Sequence, residues 1–320
     1  MIDLVEELRI LGSIMVREIK PENLDDFEDL LQQYIGHVDD PFLSVEELKE
    51  QLQSGITSGS RYVLGKYNQL GDAQGLLIHN PATNRLSLIF AKGKYEVEKM
   101  LFDRMFKDFS ETSPTLIFES GYPTPWISEG FSDYAVRCGF AKHERWYMKL
   151  KRNDFQPTSD LPDGVNLLPF TDSMIEEITR LVFKSVDGSS DQDLFPFSYG
   201  TYDTTLGFHQ QLSNGDFGTH KHSYSWVLKE GDKSVGVCFM TTRGNDTGFV
   251  MHLAIAPECR QRGLGRVLLV HSLQNLFKIE SELTKVELAV TLSNPATVLY
   301  ESVGFNKVND SSTYVWKKVC

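Results

Sequence analysis

Residues 260–266, Arg-Gln-Arg-Gly-Leu-Gly-Arg, join an apolar strand ending in Ile255-Ala256-Pro257 to a helix that begins with Val267-Leu268-Leu269-Val270. Arg260, Gly263 and Gly265 give this turn the spacing R-x-x-G-x-G. Such a turn exposes successive backbone N–H groups at a helix N-terminus, the helix dipole adds partial positive charge, and glycine lets a phosphate approach the backbone closely. Gln261, Arg262, Gly263, Leu264, Gly265 and Arg266 are therefore candidate ligands of a phosphate-bearing molecule. Further along stand Ser293-Asn294-Pro295-Ala296 and Leu299-Tyr300-Glu301-Ser302-Val303-Gly304-Phe305. A short glycine motif is weak evidence by itself; two motifs in this order and spacing are a much stronger signal.

The strand, the R-x-x-G-x-G turn and the pattern A-x-x-L-Y-E-x-x-G-F from Ala296 to Phe305 resemble the GNAT superfamily of N-acetyltransferases, over roughly residues 165–317. The resemblance implies acetyl-CoA, or another acyl-CoA, as acyl donor. Its pyrophosphate is expected on residues 261–266 and its pantetheine against the backbone of Leu253, Ala254 and Ile255. It further implies Tyr300 as the proton donor to the CoA sulfur, and a backbone N–H at or beside Leu253 as the oxyanion partner. Family members often carry asparagine three residues before the alanine of this helix. Here Ser293 holds that spacing and Asn294 follows it, so Asn294 either meets the cofactor or caps the helix ahead of Pro295.

A general base is less evident. His252 lies in the right strand and histidine titrates near neutrality. Strict alternation, however, turns it with Val250 and Ala254 away from Phe249, Met251 and Leu253. Glu287, Glu301 and a water chain are the other candidates. His209, His220 and His222 fall in a variable-looking stretch, residues 187–222, placed where a substrate-covering segment belongs. Cys138, Cys238, Cys259 and Cys320 are scattered without C-x-x-C spacing, so no metal site and no disulfide framework is expected; Cys259, beside the turn, is open to thiol reagents.

The elements that must hold these residues occur twice. In the second half, Val165–Phe170 reads as a strand and Ile175, Ile178, Leu181 and Val182 as a helical stripe, with a helix near Tyr202–Leu212 and paired strands Ser223–Lys229 and Ser234–Thr241. Strands 248–256, 285–290 and 312–317 complete it. The first half has a strand Ile14–Ile19, a helix from Pro21 to Tyr34, strands Tyr62–Tyr67, Gln74–His79 and Arg85–Ala91, a helix Glu96–Phe109, a strand Thr115–Glu119 and a strand His143–Leu150. Phe131 to Phe140, ending Arg137-Cys138-Gly139-Phe140, parallels Val298 to Phe305. This is an internal duplication: two tandem GNAT-like α/β (α+β) domains, each a mostly antiparallel twisted sheet flanked by helices. The expected boundaries are residues 1–152, a polar linker 153–164 and residues 165–320. The first copy has Lys92-Gly93-Lys94-Tyr95-Glu96 in place of the glycine turn, with a carboxylate where phosphate would sit, and is expected to be degenerate.

Length suits two domains, and 41% hydrophobic with 24% charged residues is the composition of a globular protein. A net charge of −12 advertises no face for nucleic acid. No apolar run approaches the ~20 residues of a membrane span, and the acidic N-terminus Met1–Glu7 has no signal-peptide character. The sequence thus points to a cytoplasmic acyl-CoA-dependent N-acetyltransferase acting on a small-molecule amine or a peptide N-terminus, without metal, membrane or nucleic acid, and compatible with a homodimer. Its rival is an acyl-CoA-binding regulator or scaffold without turnover. A dinucleotide-binding module fits worse, since G-x-G-x-x-G early in a βαβ unit is missing.

Overall fold

The computed structural model describes residues 16–38, 43–91, 95–157 and 160–318; Met1–Glu7, Ile14, the turn Lys92-Gly93-Lys94 and Cys320, all considered above, lie outside the described residues. In chain order the first half forms β1 (Val16–Glu18), α1 (Glu28–Ile35) after a 3-10 turn (Pro21–Phe27), α2 (Val45–Ser58), β2 (Tyr62–Tyr67), β3 (Ala73–Asn80), β4 (Arg85–Ala91), α3 (Tyr95–Phe109), β5 (Thr115–Gly121), α4 (Glu129–Arg137) and β6 (Ala141–Lys151). The second forms β7 (Val165–Pro169), α5 (Ile175–Val186), α6 (Ser190–Leu194), α7 (Pro196–Tyr199), α8 (Tyr202–Asn214), β8 (Trp226–Glu230), β9 (Lys233–Arg243), β10 (Thr247–Ile255), α9 (Leu264–Ile279), β11 (Lys285–Thr291), α10 (Ala296–Val303) and β12 (Asn306–Lys317). Helix α2 was not anticipated, although Ser44 and Glu47 close a capping box at its start. Among the described residues no helix is long and apolar enough to cross a membrane.

The chain folds as two compact units, residues 1–144 with 310–320, and residues 145–309. These divisions fall at 144/145 and 309/310 rather than across 153–164. In the first unit the strand order is β1-β2-β3-β4-β5-β12, and in the second β7-β8-β9-β10-β11-β6. Each sheet therefore takes its last strand from the other half of the sequence. Ser311–Lys317 runs antiparallel to β5, and Arg145–Lys151 antiparallel to β11. The apolar residues explain the partition. Tyr314 stacks on Phe118 inside the first core, with centroids 4.5 Å apart, while Met148 and Leu150 are fully buried in the second.

In the second unit the sheet separates two cores. Val250, Leu268, Leu273, Leu276 and Val286 pack on the α9 side; Ile178, Val182, Leu212, Val237, Phe239 and Ala254 pack on the α5 and α8 side. The parallel pair β10/β11 is short, running only from Thr247↔Lys285 to Phe249↔Glu287. Beyond it β11 stays with β6 to Thr291, and β10 stays with β9. The cause lies in the ladder with β9, where Val250 pairs with Met240 and His252 with Phe239, so Met251 is an extra residue. A bulge of this kind bends and twists its strand, and β10 leaves β11 from that point.

Helix α9, whose N-terminus is the glycine turn, is fixed at its other end by Arg152. The guanidinium donates to Phe277 O at 2.7 Å, Glu280 O at 3.1 Å, Ser281 O at 2.9 Å and Leu283 O at 3.2 Å. It thereby satisfies carbonyls left over at the helix end and opposes the dipole. Arg152→Met should lower unfolding free energy by about 2 kcal/mol, read as a lower urea midpoint at constant m-value. Lysine, lacking the fork, should restore only part of it. An unchanged midpoint in Arg152→Met would show the cap to be idle.

Candidate active site

The turn between β10 and α9 is built as expected and more sharply than its glycines suggest. Gln261 has φ +62° and Gly263 φ +76°, so left-handed residues alternate along it. A non-glycine residue held there costs free energy that the surroundings must impose. The result is a nest of N–H groups. Those of Gln261, Arg262, Gly263, Leu264 and Gly265 meet no acceptor among the described residues. Arg266 does not belong to this set: its N–H donates to Gly263 O at 3.0 Å and its guanidinium to Ser302 O and Oγ, both at 2.8 Å. The other arginine side chains are likewise engaged, Arg262 with Glu230, and Arg260 with Ile255 O at 3.3 Å and Ser185 O at 2.5 Å. Backbone, rather than guanidinium, is what the turn offers a phosphate.

The gap between β10 and β11 leaves one strand edge open. Ala256 N–H donates to Val235 O at 2.8 Å, which sets the phase of the antiparallel ladder. Ala254 and Ala256 exchange bonds with β9, so the N–H and C=O groups of Leu253 and Ile255 point into the gap. Of the three residues expected to pair with pantetheine, Ala254 is thus spent inside the sheet. Ile255 O already accepts from Arg260, leaving the Leu253 groups and the Ile255 N–H.

Tyr300 lies on α10 with 8% of its surface exposed, edge-on to Phe305 at 5.9 Å. Burial, and then Cys238 and the Asp191 carboxylate, push its hydroxyl pKa up, so it stays protonated at neutral pH. Burial likewise pushes the Cys238 thiol up to about 12, which leaves no thiolate nucleophile there. Cys259 is buried too, against the expected reactivity. Asn294 is used as a cap: its Oδ1 accepts from Ala296 N–H at 2.9 Å, and its Nδ2 faces Asp191 Oδ2 at 3.4 Å.

The structure adds residues that the sequence did not single out. Helices α6 and α7 bring Asp191 and Tyr199 to this end of the sheet. Asp191 also accepts from Thr291 Oγ1 at 3.3 Å. Tyr199 Oη lies 2.9 Å from His252 Nδ1. Because of the bulge, His252 shares a face with Ala254 and Phe239, opposite Val250; the alternation assumed over residues 249–254 breaks at Met251. His252 is half-buried, and its Nε2 is buried without a partner among the described residues. The remaining candidates lie away from this cluster or are paired. Glu287 pairs with Lys149 at 3.2 Å, in the stretch where β10 and β11 still touch. Glu301 is exposed on α10. His220 bonds Ser225 Oγ at 3.0 Å, and His222 bonds Asp172 at 3.1 Å. No group of His, Cys, Asp and Glu able to hold a metal occurs among the described residues.

Burial lowers the pKa of His252 to about 4 and that of His209, with His252 contributing, to about 3. The fold holds both neutral. Their contribution is therefore complete above the unfolded pKa of about 6.5 and is lost as pH falls toward the folded values. Between pH 6.5 and 5, before carboxylates take up protons, the thermal midpoint should fall, and it should fall less steeply in His209→Gln. Equal slopes in the two proteins would contradict the neutral assignment.

Residues 221–307 match the family model described as an acetyltransferase (GNAT) domain. No curated protein sequence matches the chain. Among solved structures, a GCN5-related N-acetyltransferase from Sphaerobacter thermophilus aligns at TM-score 0.60 and 18% identity, covering 95% of this chain and 96% of that one. A tandem GNAT protein from the clavulanic acid biosynthesis pathway aligns at TM-score 0.56 and 13% identity, covering 95% and 98%. At these identities the structures speak for the fold. The chain therefore has the tandem GNAT fold and carries a GNAT acetyltransferase domain in its second half.

Proposed function

We propose that the protein is an acyl-CoA-dependent N-acyltransferase that moves an acetyl group from acetyl-CoA to an amine, with the chemistry in residues 145–309. The observation that carries this reading is the conjunction, in one unit, of an N–H nest at residues 261–265, a β10 edge that β11 leaves after Phe249, and a Tyr300 hydroxyl kept protonated. The nest suits a pyrophosphate, the edge suits the amides of pantetheine, and acyl-CoA supplies the activated thioester. In this reading Leu253 N–H meets the developing oxyanion, and Tyr300 returns a proton to the leaving sulfur.

The first unit supports a division of labour. Ala135 stands four residues before Gly139, as Tyr300 stands four before Gly304, and Ala135 is wholly buried in the aromatic core. Glu96 is in the first turn of α3. We assign that unit a structural role.

Tyr300→Phe should lower kcat about a hundredfold and change the acetyl-CoA Kd less than about threefold, by calorimetry beside steady-state rates. Equal losses would make Tyr300 a packing residue. For the nest, Gly263 is the better position, because a Cβ there meets nothing within 4 Å, whereas at Gly265 it lies 3.3 Å from Leu299 Cδ2. Gly263→Ala and Gly263→Glu share the cost of positive φ and differ in charge. The glutamate variant should bind acetyl-CoA at least about tenfold more weakly than the alanine variant; matched affinities would remove phosphate from the turn. Tight acetyl-CoA binding without release of thiol to any amine would favour the regulatory alternative.

A further inference from the structure

Two histidines, unused in the account above, lie on the α5/α8 side of the sheet. His209, on α8, is fully buried and stacks on Phe239 at 5.2 Å. Its ring centroid is 6.1 Å from that of His252. Both Nε2 atoms are buried and meet no partner among the described residues. Orphan polar atoms of this kind call for a reason.

The hydrogen-bond directions can be worked out. Thr179 Oγ1 lies 2.7 Å from Ile175 O, a carbonyl that can only accept, so the threonine proton is committed there. Toward His209 Nδ1, 2.9 Å away, the same oxygen must then act as acceptor. His209 is therefore the Nδ1–H tautomer, and its Nε2 is a bare lone pair. If His252 also carried its proton on Nδ1, both Nε2 atoms would be buried lone pairs with no donor among the described residues. With the proton on Nε2, His252 presents a donor to the His209 lone pair, directly after a small shift or through one water. His252 Nδ1 is then an acceptor, and Tyr199 must donate its O–H inward to it.

This leaves the Tyr199 oxygen with its lone pairs uncommitted. The groups around that oxygen come from four elements: Asp191 on α6, Tyr300 on α10 and Arg145 on β6 act on it electrostatically, and His252 on β10 takes its proton. A neutral amine attacking a thioester must aim its nitrogen lone pair at the carbonyl, so only its N–H bonds are free to be held. We propose that Tyr199 Oη is the acceptor that grips the N–H of the incoming amine, with His252 and His209 as positioning residues that fix its hydroxyl inward. The assignment rests on the acyltransferase reading; the tautomers do not.

Two experiments test it. Long-range proton–nitrogen spectra of protein labelled with 15N-histidine, at pH 7, should show His209 as Nδ1–H and His252 as Nε2–H, with the His252 pattern altered in Tyr199→Phe. An Nδ1–H tautomer at His252 would point the Tyr199 proton outward and overturn the proposal. For kinetics, the probes are acetyl-CoA with spermidine, tyramine, glucosamine and a dipeptide with a free N-terminus, followed by thiol release. Tyr199→Phe and His252→Leu should each raise the KM for the amine used about tenfold while leaving the acetyl-CoA Kd unchanged. His252→Gln, whose carbonyl can still accept from Tyr199, should recover most of that loss, which a packing role would not. An unchanged amine KM in folded Tyr199→Phe would sink the proposal while leaving the acyltransferase standing. If the wild-type protein binds acetyl-CoA but turns over none of the amines, the acyltransferase reading fails, and with it the role for the Tyr199 oxygen.

Discussion

One extra residue in one strand organises the second unit. Met251 is the residue by which β10 outruns β9, and a bulge converts a local miscount into a change of direction. Had β10 continued beside β11, the amide groups of Leu253 and Ile255 would be spent on the ladder, as those of Ala254 are on β9. The bulge strips that edge of its partner, and it also rotates His252 onto the face it shares with Phe239 and Ala254. The open backbone edge and the orientation of His252 thus have a common origin. Neither could survive a one-residue slip, because a slip reverses which groups face outward.

The acyl-donor side of the site is made almost wholly of main chain. Five consecutive N–H donors at the turn and the Leu253 edge need no particular side chain, only φ values that Gly263 supplies freely and Gln261 adopts under constraint. The neighbouring arginines are tied to Glu230, Ser185 and Ser302, so they stiffen the turn more than they extend it. Glu258 works in the same sense. Held by Lys233 and then Lys184, it has a pKa lowered to about 2 and stays ionised, linking α5 and β9 to the start of the turn.

What was legible in the sequence follows from this division. The glycine turn, α9, Tyr300 and the duplicated element order could be read because each is written in local spacing: period, punctuation and motif. The bulge could not, since Val250-Met251-His252 looks like any alternating strand until its partner is known. Asn294 could be a ligand or a cap on sequence grounds, and the bond from Ala296 N–H at 2.9 Å shows that it caps without testing the ligand role. Tyr199 and Asp191 stayed hidden because α6 and α7 are short, without an apolar period of their own. The exchange of β6 and β12 is non-local by nature. A reader of Lys151–Gly164 sees a polar linker, and nothing in its composition tells which sheet the preceding strand will join.

The two units show how little separates a site from a scaffold. In the first, β4 and β5 pair only at Arg85↔Ile117 and Leu86↔Phe118, and β3/β4 carries its own register shift, so the strand geometry that opens β10 is present there too. What differs is what lies around it. Phe102, Phe118, Phe131 and Phe140 pack ring to ring, Ala135 takes the place of the tyrosine, and Arg85 pairs with Glu119 at 3.0 Å. Aromatic packing makes a good core, but no hydroxyl stands there at the position that matches Tyr300. The second unit keeps a different interior at the matching depth: Tyr199, His252, His209 and Thr179, polar groups whose burial is costly unless their directions agree. Keeping such groups neutral and mutually oriented is a stability burden, and the first unit carries a smaller share of it in His79, fully buried with both ring nitrogens meeting no partner among the described residues. What the second unit adds is a connected set, Thr179 to His209 and Tyr199 to His252, whose directions have to agree, and such a set suits a hydroxyl that has to face a reacting molecule in one fixed orientation.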